Sequence, residues 1–135
     1  MATLETYVDY FDQLDLGSNP LYRGYLTKAG FFLPSNPAHL VLALDTLISK
    51  GTLSSDSRFL DAGSGDGRAS ILASLLGLDA YGVEYNPMLV RLSDAHAQNF
   101  PSSNPLFFEG DFLDPLTYAP FRFSGFDIVF NYVNN

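Results

Sequence analysis

The spacing of hydrophobic and polar positions in this 135-residue chain changes near residue 58. Before that point apolar side chains recur every three or four positions, a spacing typical of amphipathic helices. It predicts one helix over residues 3–14 and a second over residues 37–50. The second has Pro37 in its first turn and Gly51 directly after its last, as helices often do.

From residue 58 onwards short apolar runs alternate with helical patterns. The runs predict four strands, over residues 58–62, 80–84, 105–112 (a strand that ends in a turn) and 125–133. Helices are predicted after the first two strands, over residues 68–77 and 86–100. Such alternation is typical of an α/β fold with a parallel sheet, here a Rossmann-like sheet with helices N-terminal to it. The segment between the third and fourth strands leaves little room for a crossover helix.

The chain has the composition of one folded domain. Hydrophobic residues make up 47% and charged residues 16%, so a core can be buried. Residues 1–30 are predicted to be a helical N-terminal extension and residues 31–135 the Rossmann-like domain. The pattern within residues 21–33 is ambiguous, and one helical turn followed by an extended piece is predicted there.

The net charge and the cysteine content disfavour some classes of partner and of binding site. The net charge is −8 and no basic stripe is visible, so nucleic acid is an unlikely partner. A basic protein segment or a neutral small molecule fits better. The chain has no Cys, and no metal site is predicted. Neither a secretory signal nor an apolar run of membrane length is visible, so no membrane partner and a cytoplasmic location are expected.

The densest motif is D-x-G-x-G-x-G at residues 61–67, between the first predicted strand and its helix. It departs from the dinucleotide fingerprint G-x-G-x-x-G because Arg68 stands where the third glycine is expected. It is not a P-loop, since no G-K-[ST] follows. Asp61 and Asp66 would repel a pyrophosphate, whereas they suit a cationic or hydroxyl-bearing ligand.

Further polar residues follow the other strands, at the sheet edge where α/β folds bind ligands. Glu84 ends the second predicted strand, about 20 residues after the glycines, where an acid can accept both hydroxyls of a ribose. Asp111 and Phe112 follow the third strand and can contact an adenine. The end of the fourth strand would line the same cleft.

These motifs in this order resemble class I S-adenosylmethionine-dependent methyltransferases, over roughly residues 31–135. The resemblance implies S-adenosyl-L-methionine as cofactor and in-line methyl transfer. Asn131 and Tyr132 would face the methyl group as catalytic residues, and Ser35 and Asn36 would touch the cofactor carboxylate. The implied cofactor-binding residues are Asp61, Gly63, Ser64, Gly65, Gly67, Glu84, Tyr85, Asn86, Asp111, Phe112 and Asn131.

The run LDAGSGDGR…YGVEYNPMLV is most similar to small protein-lysine methyltransferases. The resemblance therefore implies a protein lysine as a candidate acceptor, with a small molecule as the alternative. Asn131–Tyr132 is not followed by the prolines of the [DN]-P-P-[FY] motif, which disfavours nucleobase amines and glutamine amides as acceptors.

Two further hypotheses stay open at this point. One is a nucleotide-binding domain of an oxidoreductase. The other is a non-catalytic cofactor-binding or interaction module. The family fold continues with further C-terminal strands, so the domain is expected to be incomplete at its C-terminus. An open edge at the fourth strand would then allow a homo-oligomer.

Overall fold

The computed structural model describes residues 4–28 and 30–132. Two short 3-10 helices cover Pro20–Arg23 and Pro115–Tyr118. The helices and strands, in chain order, are α1 (Leu4–Leu16), β1 (Tyr25–Thr27), β2 (Gly30–Phe32), α2 (Pro37–Ser49), β3 (Arg58–Ala62), α3 (Arg68–Leu75), β4 (Asp79–Glu84), α4 (Pro87–Ala97), β5 (Leu106–Glu109) and β6 (Ile128–Phe130).

Four strands form a parallel sheet in the order β5-β4-β3-β6. The chain runs outward from β3 to β5 and then returns to pair β6 on the other side of β3. In such sheets the crevice at the point of reversal, beyond the carboxyl ends of the strands, is where ligands bind. The predicted Rossmann-like α/β fold with four strands is confirmed, and the end of β3 lies at its reversal point.

The fourth strand is shorter than predicted. It covers Ile128–Phe130 rather than residues 125–133. At its start Asp127 turns towards β3, where its backbone N–H bonds the Arg58 carbonyl and its side chain accepts from the Arg58 N–H. At its end the Asn131 side chain, rather than its backbone, bonds β3 by donating to the Ala62 carbonyl. The last residue of the predicted strand, Val133, lies outside the described part of the chain.

The connection from β5 to β6 contains a cluster of aromatic rings where other crossovers carry a helix. Tyr81 contacts Phe121, Phe123 and Phe126 with ring centroids 5.3–5.5 Å apart. Phe108 of β5 adds a contact to Phe121 at 5.0 Å. These rings cover part of one sheet face, so a connection without an α-helix still buries apolar area.

Residues 20–32 resolve the ambiguous segment into a 3-10 turn followed by an antiparallel hairpin. Asn19 caps the turn by accepting from the Leu21 N–H, and Gly24 ends it at φ 88°. Strands β1 and β2 then pair Tyr25 with Phe32. The assignment of residues 1–30 as a separate extension stays a prediction, and residues 1–3 and 29 lie outside the described part.

Helix α1 packs into the main core. Tyr7 and Phe11 have no exposed surface, and they share a core cluster with Leu40 and Leu44 of α2 and Ile71 of α3. The Tyr7 hydroxyl donates to the Arg68 carbonyl at 2.8 Å. The N-terminal helix is therefore fixed directly to the first turn of α3.

Replacing Tyr7 with phenylalanine is expected to lower the free energy of unfolding by about 1–2 kcal/mol, because a buried hydrogen bond between the Tyr7 hydroxyl and the Arg68 carbonyl is lost while the ring packing is kept. Urea unfolding followed by circular dichroism measures the change. As a control, Tyr81→Phe removes an exposed hydroxyl bond to Asp79 and should change stability by less than about 0.5 kcal/mol. Equal losses in the two variants would contradict the role assigned to Tyr7.

None of the helices within residues 4–28 and 30–132 combines the length and apolar character that crossing a bilayer requires.

Candidate functional site

The glycine turn between β3 and α3 brings the backbone to the floor of the crevice. Gly65 has φ +56°, and a Cβ there would lie 2.7 Å from the ring of Phe32. Gly67 has φ +87°, and its Cβ would lie 2.7 Å from Phe107 and 2.8 Å from the Cβ of Ser93. Both positions require glycine, because a side chain would be strained and would collide with buried neighbours.

A cleft of about 310 Å³ opens beyond the carboxyl ends of β3, β4 and β6. Its walls come from the glycine turn, the ends of these strands, Phe112 and the segment around β2. It brings together most of the residues predicted for the site, namely Asp61, Gly63, Ser64, Gly65, Glu84, Tyr85, Phe112, Asn131 and Tyr132.

Two buried polar atoms in this cleft have no partner within the described residues. They are Asp61 Oδ1 and Ser64 Oγ, on residues with 4% and 5% of their surface exposed. Burial, with the nearby carboxylates of Asp66 and Glu84, raises the pKa of Asp61 well above its ordinary value. An unpaired buried carboxylate costs stability, so this group suits a cationic partner.

Glu84 links the glycine turn to the residue that caps α4, across the floor of the cleft. Its Oε1 accepts from the Gly65 N–H at 2.9 Å, and its Oε2 accepts from the Asn86 N–H at 2.8 Å. Each carboxylate oxygen has two lone pairs, so each retains one acceptor site. The side chain is thereby held rigidly and can still accept bonds from two hydroxyls.

Besides Asn36, three predicted residues lie outside the lining of the cleft. Gly67 begins α3, Asn86 caps α4 by accepting from the Met88 and Leu89 N–H groups, and exposed Asp111 accepts from the Leu113 N–H. Their direct contacts with a cofactor stay predictions. Gly67 and Asn86 shape the cleft through the backbone, because they set where the helices begin.

The predicted catalytic pair lies at the open side of the cleft. The Asn131 Nδ2 donates to the Ala62 carbonyl at 2.6 Å, which fixes the amide beside the end of β3. Tyr132 is 49% exposed and lines the same opening. Both residues can therefore contact a molecule entering from solvent.

The N-terminal segment supplies a wall that the sequence patterns did not predict. Phe32, Leu33 and Pro34 line the cleft, together with Ser35, which the resemblance had implied. Asn36, also implied, instead caps α2 by accepting from the His39 N–H. The signal for this wall was the proline-rich stretch FFLPSNP, whose spacing alone does not show what it packs against.

Arg68 is the only Lys or Arg in the lining of the cleft within the described residues. Its Nε donates to Asp66, Nη1 to Asp15 and the Ser35 carbonyl, and Nη2 to Asp15 and Asp66. These bonds use all five donors of a guanidinium. Arg68 therefore has none left for a phosphate or carboxylate ligand.

The family model for a methyltransferase domain matches residues 53–134. The chain belongs to this methyltransferase domain family. The match covers β3 to β6 and all of the predicted motifs, whereas α1, the hairpin and α2 precede it. No curated protein matches the chain significantly.

Solved structures share the fold at low identity. The YcgJ protein from Bacillus subtilis is 24% identical with a TM-score of 0.53, over 67% of this chain and 37% of that one. An RNA methyltransferase from Salinibacter ruber, in complex with S-adenosyl-L-homocysteine, is 25% identical with a TM-score of 0.51, over 61% of this chain and 52% of that one. Precorrin-6y C5,15-methyltransferase from Geobacter metallireducens is 22% identical with a TM-score of 0.52, over 70% of this chain and 48% of that one.

The chain spans between 37% and 52% of the length of these three structures. The resemblance to class I S-adenosylmethionine-dependent methyltransferases is confirmed at the level of family and fold. A protein-lysine acceptor is not tested by these similarities.

Proposed function

We propose that this chain binds S-adenosyl-L-methionine and acts as a methyltransferase or as its cofactor-binding part. The observation that carries the proposal is the pair of buried atoms at the glycine turn, Asp61 Oδ1 and Ser64 Oγ, that have no partner in the described part of the chain. A carboxylate and a hydroxyl there fit the ammonium of an aminoacyl sulfonium cofactor. When bound, the cofactor supplies an activated methyl group on its sulfonium.

The remaining cleft residues take roles that their positions allow. Glu84 has two acceptor sites left for the ribose hydroxyls, and Tyr85 and Phe112 offer rings for the adenine. Asn131 and Tyr132, at the open side, would orient the acceptor and exclude water from it. The chain's contribution to the reaction is thus positioning rather than proton transfer.

The cofactor proposal is tested by calorimetry with S-adenosyl-L-homocysteine and, separately, NAD. We expect micromolar binding of the former, about −8 kcal/mol, and none of NAD. The carboxylates of Asp61 and Glu84 would repel a pyrophosphate, and the fully engaged Arg68 is the only Lys or Arg in the described lining that could neutralise it. Binding of NAD alone would favour the oxidoreductase hypothesis.

The acceptor is proposed to be an uncharged amine, with a protein lysine as first candidate. Support comes from the motif similarity and from Asp61 and Glu84, because a cleft with acids and no free Lys or Arg in its described lining attracts ammonium groups and repels phosphates. On entering the apolar opening the amine would release its proton to bulk water, which makes its nitrogen nucleophilic.

A small apolar acceptor is the second candidate, favoured by an adjoining cavity. This cavity of about 500 Å³ shares Ala62, Phe112 and Asn131 with the cleft. Its other lining residues are mostly apolar, including Tyr118, Phe121, Phe123, Phe126 and Val129. A labelled-methyl assay on cell extract, separated into protein, nucleic-acid and small-molecule fractions, distinguishes the two candidates.

Replacing Tyr132 with alanine is expected to lower methyl transfer about tenfold at saturating cofactor, because the acceptor loses an orienting contact. The dissociation constant of S-adenosyl-L-homocysteine should change less than about twofold, since the ring borders the acceptor side. Leu42→Ala, at an exposed apolar residue on α2, is the control. Unchanged transfer in Tyr132→Ala would remove this residue from the proposed catalytic pair.

A homo-oligomer through β6 stays a prediction. Within the described residues β6 pairs only with β3, and Val129 on it is 58% exposed. If the protein sediments as a monomer and transfers methyl groups, the hypothesis of a non-catalytic interaction module loses its support.

A further inference from the structure

Four buried or half-buried polar residues connect the N-terminal segment to the glycine turn. We call them the anchor: Asp15 of α1, Tyr22 of the 3-10 turn, Asp66 of the glycine turn and Arg68 of α3. Arg68 bonds both oxygens of Asp15 at 2.8 Å and also Asp66 at 2.8 Å. The Tyr22 hydroxyl donates to Asp66 at 2.9 Å.

Three of the four anchor residues are buried, where such bonds are strong. Asp66 and Arg68 are 1% and 3% exposed, and Tyr22 is 6% exposed. Burial alone would lower the pKa of Arg68, but the carboxylates of Asp66 and Asp15 outweigh it and raise the pKa above its ordinary value. Removing one partner of a buried ion pair leaves the charge of the other without compensation. Each anchor residue therefore restricts the positions of the others.

His96 of α4 holds the Tyr22 hydroxyl from the other side. The single hydroxyl hydrogen of Tyr22 goes to Asp66, so the His96 Nε2, 3.1 Å away, must carry a hydrogen and donate. The His96 Nδ1 then accepts from the Tyr10 hydroxyl at 2.7 Å. Burial lowers the pKa of His96, in agreement with this neutral form. The Tyr22 side chain is thus fixed at both ends of its polar group.

The anchor also fixes the wall of the cleft. Arg68 Nη1 donates to the Ser35 carbonyl at 2.9 Å, and the ring of Tyr22 packs edge-on against Phe32 at 5.7 Å. Phe32 in turn stands directly against Gly65. The wall formed by residues 32–35 is therefore attached to the glycine turn by one ionic group and one ring contact.

We infer that Asp15 and Tyr22 are positioning residues for cofactor binding, because through Asp66 and Arg68 they hold residues 32–35 against the glycine turn. This inference rests on the proposed function. It extends the cofactor site beyond residues 53–134, which the family model matches, to a segment that precedes them. Asp15 and Tyr22 do not line the cleft, so their effect on the ligand passes through the wall and the turn.

The test compares two tyrosine variants that each lose a hydroxyl bond to an aspartate. Tyr22→Phe removes the bonds of the hydroxyl to Asp66 and His96 and keeps the ring, and Tyr81→Phe removes an exposed bond to Asp79 far from the cleft. We expect Tyr22→Phe to raise the dissociation constant of S-adenosyl-L-homocysteine about five- to tenfold, and Tyr81→Phe to leave it unchanged. Equal affinity in a folded Tyr22→Phe variant would overturn the inference.

A second pair tests the ionic side of the anchor. Asp15→Asn weakens the paired contact with Arg68, and Asp79→Asn makes the same change in the exposed pair with Arg58. The first is expected to weaken binding threefold or more and the second not at all. Because Asp15 is partly exposed and the amide keeps its shape, this variant folds even if Tyr22→Phe does not.

Hydrogen exchange distinguishes a local effect on the wall formed by residues 32–35 from a loss of overall stability. In the free Tyr22→Phe and Asp15→Asn variants, the amides of Leu33 and Ser35 should exchange faster while that of Leu60 in β3 is unchanged. In the wild type, S-adenosyl-L-homocysteine should protect the amides of Leu33 and Ser35. Uniform acceleration across the chain, or no protection upon binding, would contradict the inference. Absence of binding to the wild type would instead refute the proposed function, and the free-state exchange would still test the anchor.

Discussion

Replacing Asp61 with asparagine is expected to weaken binding of S-adenosyl-L-homocysteine by about 10- to 150-fold, which corresponds to the 1.5–3 kcal/mol of a hydrogen bond to a charged group. Asp61 Oδ1 is buried in the cleft without a partner among the residues that the structure describes, and asparagine keeps the volume while removing the charge. The ligand ammonium would lose its counter-charge in a place where water cannot replace it. Calorimetry at pH 7 measures the change.

The same substitution should not destabilise the free protein. Burial raises the pKa of Asp61 above its unfolded value, so the folded state binds more protons between the two values. The stability of the wild type therefore falls as the pH rises from the ordinary carboxyl pKa towards the raised one, and the loss persists at higher pH. Asp61→Asn removes this penalty, so its free form should unfold at an equal or higher temperature at pH 7.

The matched control is Asp45→Asn on the exposed face of α2, which makes the same charge change away from the cleft. We expect neither its affinity nor its unfolding temperature to differ from the wild type. An Asp61→Asn variant that binds as tightly as the wild type would refute the assignment of Asp61 to the ammonium. A variant that unfolds at a lower temperature would contradict the raised pKa.

Replacing Gly67 with alanine is expected to lower the free energy of unfolding by about 2–5 kcal/mol, a large part of the 5–15 kcal/mol typical of a domain. Two costs combine. A side chain at φ +87° costs about 1–2 kcal/mol. Overpacking against Phe107 and Ser93 adds about 1–3 kcal/mol, since both neighbours are buried.

Gly77→Ala separates the cost of backbone strain from the cost of overpacking. Gly77 has φ +93°, but a Cβ at this position would have nothing within 4 Å, so the variant should show the backbone strain alone, about 1–2 kcal/mol. Urea unfolding of both variants gives the difference of about 1–3 kcal/mol that belongs to the contacts. Equal losses would show that the close packing of Gly67 against α4 and β5 has no energetic consequence.

Local sequence pattern was sufficient for the four helices, for the order of the parallel strands along the chain and for the location of the cleft, but not for the hairpin or the bounds of β6. The caps at Asn36 and Asn86, and the glycines of the turn, act within a few residues of where they stand. Parallel strands end at one sheet edge, so acids at the ends of β3 and β4 were expected to meet there. The positions of Asp61 and Glu84 in the lining of one cleft, and the bond of Glu84 to the turn, agree with that expectation.

The sequence by itself determined the α/β order, the glycine turn and the acids of the cleft, because strand period, turn chemistry and helix caps are local. Only the tertiary structure decided that Asp15, Tyr22 and Ser35 meet Arg68 and Asp66. The bonded partners are 33 to 53 positions apart in the sequence. Contacts of that kind depend on how α1 and the hairpin pack on the sheet. No spacing in the sequence encodes that packing, and it is what joins the N-terminal segment to the proposed cofactor site.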